Sequence, residues 1–157
     1  MATIKKKPSG YGQFGGFSPY GNVTALAFFL ATNASGAVID SDTTVAVASG
    51  DVIDLGELPE GMRLDDAQIL IKTGMTATVT GSLGFKYVDG DSTEVPQDAA
   101  YFINAGDLET AGRLRANTGK LVTLPKAARL ILTTGGAANA KASDIKVIVS
   151  GELTGPR

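Results

Sequence analysis

The sequence predicts an all-β fold, and three observations support this prediction. From Val23 onward the chain is a series of short β-rich runs separated by turn residues, and no window of a dozen residues carries the apolar stripe of a helix. The 20 glycines among 157 residues are nearly twice the average usage of about 7%, which indicates many turns. About eight to ten short strands at a spacing of roughly 8–12 residues are typical of a β-sandwich or barrel, and two packed sheets are the commonest way to protect so many strand edges.

Four strands are predicted in the first half of the chain. The first run, VTALAFFLA, is closed by the turn-like TNASG, and the second, TTVAVA, stops at the turn SGD. The third, VIDLGEL, alternates imperfectly with a period of two, which fits a half-exposed strand that ends before the turn PEG. In the fourth, DAQILIKT, Ala67, Ile69 and Ile71 share one face. These predicted strands are Val23–Ala31, Thr43–Ala48, Val52–Leu58 and Asp66–Thr73.

The second half of the chain continues this pattern. The run SLGFKYV alternates with a period of two, and Asp89-Gly90 after it is a strong signal for a two-residue hairpin. A strand is predicted to begin at Tyr101–Ile103, and one turn of helix over Asp107–Ala111 remains an alternative beyond it. The chain ends in KLVTL and in two predicted core strands, Ala128–Thr134 and Asp144–Leu153.

The N-terminal stretch KKKPSGYGQFGGFSPYGN differs from the rest of the chain. It is too rich in glycine and too poor in apolar residues to fold alone, yet it holds four aromatic residues at every third position, Tyr11, Phe14, Phe17 and Tyr20. A period of three is that of an extended polyproline II chain, which lines its side chains along one edge and suits a groove. We therefore expect an extended arm over residues 1–22 and a β-sandwich domain over residues 23–157. The arm has three possible fates: it binds a partner, folds back on its own domain, or stays disordered.

A nucleic-acid role for the arm is weakened by the charge of the domain. Lys5, Lys6 and Lys7 beside aromatic side chains form the mixture that binds single strands. The remaining eleven Lys and Arg stand against sixteen Asp and Glu, which leaves the domain with a net charge of −5. A domain with this negative net charge would repel phosphate groups.

Charge is also divided along the domain. The segment Asp40–Asp66 has eight acidic residues against one arginine, whereas Thr110–Ser143 has six Lys or Arg and no acid. One interpretation is that these are solvated loops and strand ends whose charges compensate within the fold. The other is that the acidic patch of one copy faces the basic patch of the next in a ring or lattice. The basic residues of that second interpretation are Arg113, Arg115, Lys120, Lys126 and Arg129.

The composition excludes much enzymology. Histidine, cysteine and tryptophan are absent, so there are no disulfides, no imidazole or thiolate metal ligands, and no catalytic scheme built on Cys or His. No apolar run approaches the ~20 residues of a membrane span, and no signal-peptide core is present, so we expect a soluble protein with no membrane role. No cofactor or metal is predicted.

Two motifs resemble ligand sites without their structural context. Gly10, Gly12 and Gly15 spell G-x-G-x-x-G, but no strand precedes them and Pro19 blocks the helix that would receive a pyrophosphate. The run DGDSTE resembles the start of a calcium loop, but Glu94 occupies the position that requires glycine. Nothing in the sequence singles out a pair of carboxylates for glycoside hydrolysis. No catalytic residue is predicted.

The glycine-rich, Cys-free all-β chain with its long arm resembles a known family. Its phrases VIDLGELPEGMRLDDAQILIKTG, YFINAGDLETAGRLRANTG and LPKAARLILTTGG make Asp51–Leu153 similar to the small jelly-roll decoration (cement) proteins of tailed-bacteriophage heads. The resemblance implies a jelly-roll-like β-sandwich on the outer surface of a mature capsid. It implies a homotrimer, made in the bacterial cytoplasm, that clamps neighbouring major capsid protein subunits. No catalytic residues accompany that family.

In this interpretation the arm aromatics bind a groove on the capsid or on an adjacent copy, and the basic stretch Arg113–Arg129 faces an acidic surface. Two alternatives remain open. A tail-associated or receptor- or carbohydrate-binding β-domain would expose aromatic platforms on the body, whereas most aromatic residues of the body lie in core-like strands. A hydrolase on a sandwich scaffold would contain clustered carboxylates with abnormal pKa values.

Overall fold

The computed structural model of the chain describes residues 1–6 and 23–154, and it confirms the all-β prediction. Within these residues there is no helix, and therefore none that would cross a membrane. Ten strands form two sheets of five strands each. The strands are β1 (Thr3–Lys5), β2 (Val23–Thr32), β3 (Val52–Leu58), β4 (Met62–Thr73), β5 (Thr80–Tyr87), β6 (Asp98–Asp107), β7 (Gly112–Arg115), β8 (Val122–Thr123), β9 (Ala128–Gly135) and β10 (Ser143–Leu153).

The strand order is that of a jelly roll. Sheet 1 has the order β1-β3-β9-β5-β6, and sheet 2 has the order β2-β10-β4-β7, with β8 pairing on β4. When the short strands β1 and β8 are set aside, eight strands remain. The first pairs with the last (β2 with β10), the second with the seventh (β3 with β9), the third with the sixth (β4 with β7) and the fourth with the fifth (β5 with β6). This nested pairing places four strands in each of two stacked sheets.

The core lies between the two sheets and is filled by every second residue of the long strands. On β10, Ile145, Val147 and Val149 are fully buried, because the period of two directs all three toward sheet 1. Gly56 on β3 makes room for the opposite layer: a Cβ at this position would lie 2.6 Å from Cε1 of Phe28 on β2. The close packing of the two sheets therefore depends on a glycine at this point.

Two local predictions were wrong, and one alternative left open by the sequence is not adopted. Thr43–Ala48 is not a strand but a loop with an isolated bridge at Ala46, because the Asp51 carboxylate accepts a hydrogen bond from Ala48 N (2.9 Å) and closes a tight turn. The two-residue hairpin at Asp89-Gly90 is absent, since β5 and β6 are joined by the longer loop 88–97. The helical alternative at Asp107–Ala111 is also absent, and this segment bends between β6 and β7.

The sequence analysis missed β1, which pairs in parallel with β3 at the edge of sheet 1. Ile4 is 3% exposed and aligned with Ile53, and the Asp51 carboxylate also accepts a hydrogen bond from Ala2 N (2.9 Å). Residues 7–22 lie outside the described part of the chain. The predicted roles of Tyr11, Phe14, Phe17 and Tyr20, and the division into an arm and a domain, therefore stay predictions.

Candidate partner-binding surfaces

The five basic residues singled out in the sequence do not form one patch. Arg113 and Arg115 lie on β7 in sheet 2. Arg129 lies on β9 in sheet 1, with Lys126 just before that strand. Lys120 lies in the loop between β7 and β8. The fold therefore divides the basic stretch between two sheets.

Arg129 is held by a carboxylate of the adjacent strand. Its Nε lies 3.0 Å from both carboxylate oxygens of Asp54 on β3, and the Asp54 residue is 6% exposed. A partly buried ion pair of this kind depends on both partners, because removal of one leaves a charge in a poorly solvated position. We assign Arg129 mainly to holding β3 against β9.

Lys126 fixes the loop between β5 and β6. Its Nζ lies 2.9 Å from the Asp89 carboxylate, donates to the Gly90 carbonyl (2.8 Å) and lies 4.9 Å from the centre of the Tyr87 ring. The hydrogen bond from Lys126 holds the pKa of Asp89 below its usual value, whereas burial raises the pKa of Tyr87. The amine of Lys126 is thus bound within its own chain.

Two more basic residues contact carboxylates of the same domain. Arg115 pairs with Asp66, and Lys120 pairs with Asp98. Burial acts to raise the pKa of Asp98, but the hydrogen bonds from Lys120 and from a backbone amide outweigh it, so that the pKa is lowered. Arg113 differs, because the contact that it makes among the described residues is to the neutral Gln68, from Nη1 to Oε1 at 2.8 Å.

A broad cleft of about 1060 Å³ lies on the outer face of sheet 1. Lys86 on β5, Arg129 on β9 and Glu57 on β3 form one cross-strand row on its floor, and Lys5 and Glu60 also line it. Both signs of charge are interspersed here, so the cleft provides no concentrated field of one sign for a polyanion. It fits a polar segment of a protein partner better.

The outer face of sheet 2 carries apolar side chains where a solvated sheet face is ordinarily polar. Phe29 on β2, Lys146 on β10, Leu70 on β4 and Arg113 on β7 are aligned across the four strands, and we call this alignment the Phe29 row. Phe29 is 52% exposed, and Nζ of Lys146 lies 5.3 Å from the centre of its ring. Ile148 continues the apolar surface into the next row.

The sequence analysis did not single out Phe29 as an exposed residue. The signal was present in the run VTALAFFLAT, because both of its alternating sets are apolar: Leu26, Phe28 and Leu30 point inward, while Ala25 and Phe29 point outward. A strand at the edge of a sheet with two apolar faces indicates a contact beyond the core of the domain.

The described residues show no group of three or more Asp or Glu side chains arranged to hold a metal ion. The pKa values of Asp89, Asp91, Asp98 and Asp107 are all lowered from their usual value.

Comparison with solved structures finds the same fold in phage capsids. The chain matches one from the capsid of Ralstonia phage GP4 with a TM-score of 0.66 and 17% identity, over 96% of this chain and 97% of that one. It matches a chain of the cyanophage Pam1 capsid with a TM-score of 0.57 and 19% identity, over 94% and 91% of the two chains. A third match is to the acidic stable capsid of Helicobacter pylori bacteriophage KHP30, with a TM-score of 0.52, 14% identity and coverage of 85% and 94%. No protein-family model and no curated protein matches the chain.

Proposed function

We propose that this chain is a structural virion protein that binds the outer surface of a phage capsid and stabilises contacts between major capsid protein subunits. The observation that carries the proposal is the match in fold over 96% of this chain and 97% of a chain from a phage capsid. The sequence resemblance to decoration proteins points the same way. In this role the protein works by contact, without catalysis or a cofactor.

In this proposed role the protein acts as a homotrimer that binds the capsid through several weak contacts. Tethering three copies raises the effective concentration of each remaining contact once the first has formed, so modest individual affinities hold neighbouring subunits together. The arm aromatics Tyr11, Phe14, Phe17 and Tyr20 are the proposed capsid anchor. Of the five basic residues singled out in the sequence, Arg113 is best placed to face an acidic surface, because its contact to Gln68 is neutral.

The direct test is co-sedimentation with DNA-filled heads that lack this protein. We expect the wild-type chain to pellet at a saturating stoichiometry and the Phe14→Ala/Phe17→Ala variant to pellet poorly. Thr93→Ala, a change at an exposed residue of the loop 88–97 that does not line the cleft of sheet 1, is the control and should behave as wild type. If the wild-type chain stays in the supernatant, the capsid proposal fails. If the double variant pellets like wild type, the arm is not the anchor.

A tail-associated or carbohydrate-binding domain is the second candidate, favoured by one observation. The ring of Phe29 is half exposed on a sheet face, as a sugar-stacking platform would be. Against it, the ammonium group of Lys146 already lies near the ring, 5.3 Å from its centre. Retention on a glycan array that Phe29→Ala abolishes would support this second function over the first.

A further inference from the structure

The Phe29 row has a complement elsewhere on the same chain. A small cleft of about 260 Å³ lies between β1 and the loop that follows β2. Val45, which is 69% exposed, and Ala46 form part of its apolar lining, and the exposed Asp42 contributes a carboxylate. A cavity of ~150 Å³ is enough to hold benzene, so this cleft has room for a phenyl ring.

Charge matches as well as shape. Beside the ring of Phe29 lies the ammonium group of Lys146, which has no carboxylate partner among the described residues. The cleft is lined by the carboxylate of the exposed Asp42, whose Oδ1 also accepts a hydrogen bond from Lys5 N (3.0 Å). An aromatic side chain that fills a pocket, with opposite charges around it, is the arrangement typical of the energetic centre of a protein interface.

We propose that Phe29 of one copy inserts into the cleft between β1 and Val45 of a second copy, with Lys146 facing Asp42. The inference rests on the proposed function, because it specifies the contact that builds the oligomer. The contact joins two different surfaces, so each copy gives its ring to one neighbour and receives a ring from the other.

The two proposed contact surfaces lie close together on the molecule. Ile39 N donates a hydrogen bond to the Ala31 carbonyl of β2 (2.8 Å), and Asp42 N donates one to the Lys5 carbonyl of β1 (3.0 Å). The loop 39–45 thus runs from the edge of β2 to the cleft, and the donor and acceptor surfaces adjoin across that edge. A contact between two different surfaces gives a ring when the rotation between neighbouring copies closes, and the proposed trimer is such a ring.

The test uses sedimentation velocity on the purified full chain, without capsids. We expect wild type to form a closed oligomer and Phe29→Ala to raise the dissociation constant by about 30-fold or more, the effect of losing an interface hot spot. Val45→Arg, which fills the cleft of the receiving copy, should have the same effect. Val88→Ala removes side-chain atoms from a residue of similar exposure outside both surfaces and should leave the oligomer unchanged.

Mixing the two variants gives a result that misfolding would not produce. Phe29→Ala keeps an intact cleft and Val45→Arg keeps an intact ring, so an equimolar mixture should form heterodimers through one remaining contact, although neither variant associates alone. Three results would each overturn the contact. The wild-type chain stays monomeric throughout a dilution series that reaches ~100 µM, the Phe29→Ala variant associates like wild type, or the mixture of the two variants stays monomeric. If wild type is monomeric but still pellets with heads, the capsid role stands and this inference alone fails.

Discussion

Arg129 and Asp54 lie 75 residues apart in sequence and join β9 to β3 through a bifurcated hydrogen bond, in which Nε of Arg129 lies 3.0 Å from each carboxylate oxygen. The side chain of Asp54 is 8% exposed and that of Arg129 is 27% exposed. This pair lies on the floor of the cleft of sheet 1, where it joins the two strands on the outward face.

Replacing Arg129 alone should destabilise the domain strongly. Arg129→Met leaves the nearly buried Asp54 carboxylate without its ion pair, and we expect a loss of about 3 kcal/mol in the free energy of unfolding. Urea denaturation measures it. The double variant Arg129→Met/Asp54→Leu should recover a large part of the loss, because it removes both charges; a double variant no more stable than the single one would contradict this account.

Gly56 should not tolerate a side chain. Its φ is +154°, and a Cβ would meet the ring of Phe28 at 2.6 Å, so Gly56→Ala should cost about 1–3 kcal/mol through overpacking. Thermal unfolding checks this. Phe28→Leu removes the ring atoms that the new Cβ would meet, so the double variant Gly56→Ala/Phe28→Leu should lose less stability than the sum of the two single variants. If the two losses of stability are fully additive, the ring of Phe28 is not the obstacle.

Acid should destabilise the fold through its loop carboxylates. The pKa values of Asp89 and Asp107 are lowered mainly by side-chain hydrogen bonds, and that of Asp91 by hydrogen bonds from the backbone amides of Gln97 and Ser92. A carboxylate with a lowered folded-state pKa contributes stability above its unfolded value of 3.8, and that contribution is lost as the pH falls through the folded-state value.

The midpoint of thermal unfolding should therefore be steady from pH 7 to about pH 5 and fall progressively below pH 4. Asp91→Asn removes one of the titrating groups, and it should reduce the steepness of the fall while lowering stability at pH 7. A midpoint equal at pH 5 and pH 2.5 would rule out these carboxylates as the source of acid sensitivity.

The arm aromatics should contribute to attachment and not to the stability of the domain. Phe14→Ala/Phe17→Ala removes two of four aromatic side chains from a segment that is too glycine-rich to fold alone. We expect its melting temperature to stay within about 1 °C of wild type, because surface changes outside a core are usually within ±0.5 kcal/mol. A drop of several degrees would mean that the arm packs on its own domain.

Several elements could be predicted from the sequence because their signal is local. Val52–Leu58 is predicted and observed with the same bounds, and the predicted strands at Ala128–Thr134 and Asp144–Leu153 each differ from the structure by one residue. Alternation of apolar and polar residues identifies such strands, since successive side chains of a strand point to opposite faces whatever strand lies beside it.

Local signals failed where a distant partner decides the outcome. Three residues, Thr3–Lys5, carry no strand pattern, and they become β1 only because β3 offers an open edge and Ile53 lies beside Ile4. Thr43–Ala48 carries a strand pattern and becomes a loop, because Asp51 binds both the turn at Ala48 and the amide of Ala2.

The sequence by itself determined that this chain is all-β, that it lacks the residues for Cys or His chemistry, and that the stretch Lys5–Asn22 differs in composition from the rest. Only the tertiary structure decided which charges are neutralised within the chain and which apolar side chains remain on the surface. Arg115 and Asp66, or Phe29 and Lys146, meet because their strands pair, and strand pairing is set by the packing of the whole sandwich. The candidate interface is thus a property of the fold, since no local stretch of sequence contains both the ring of Phe29 and the cleft that it fits.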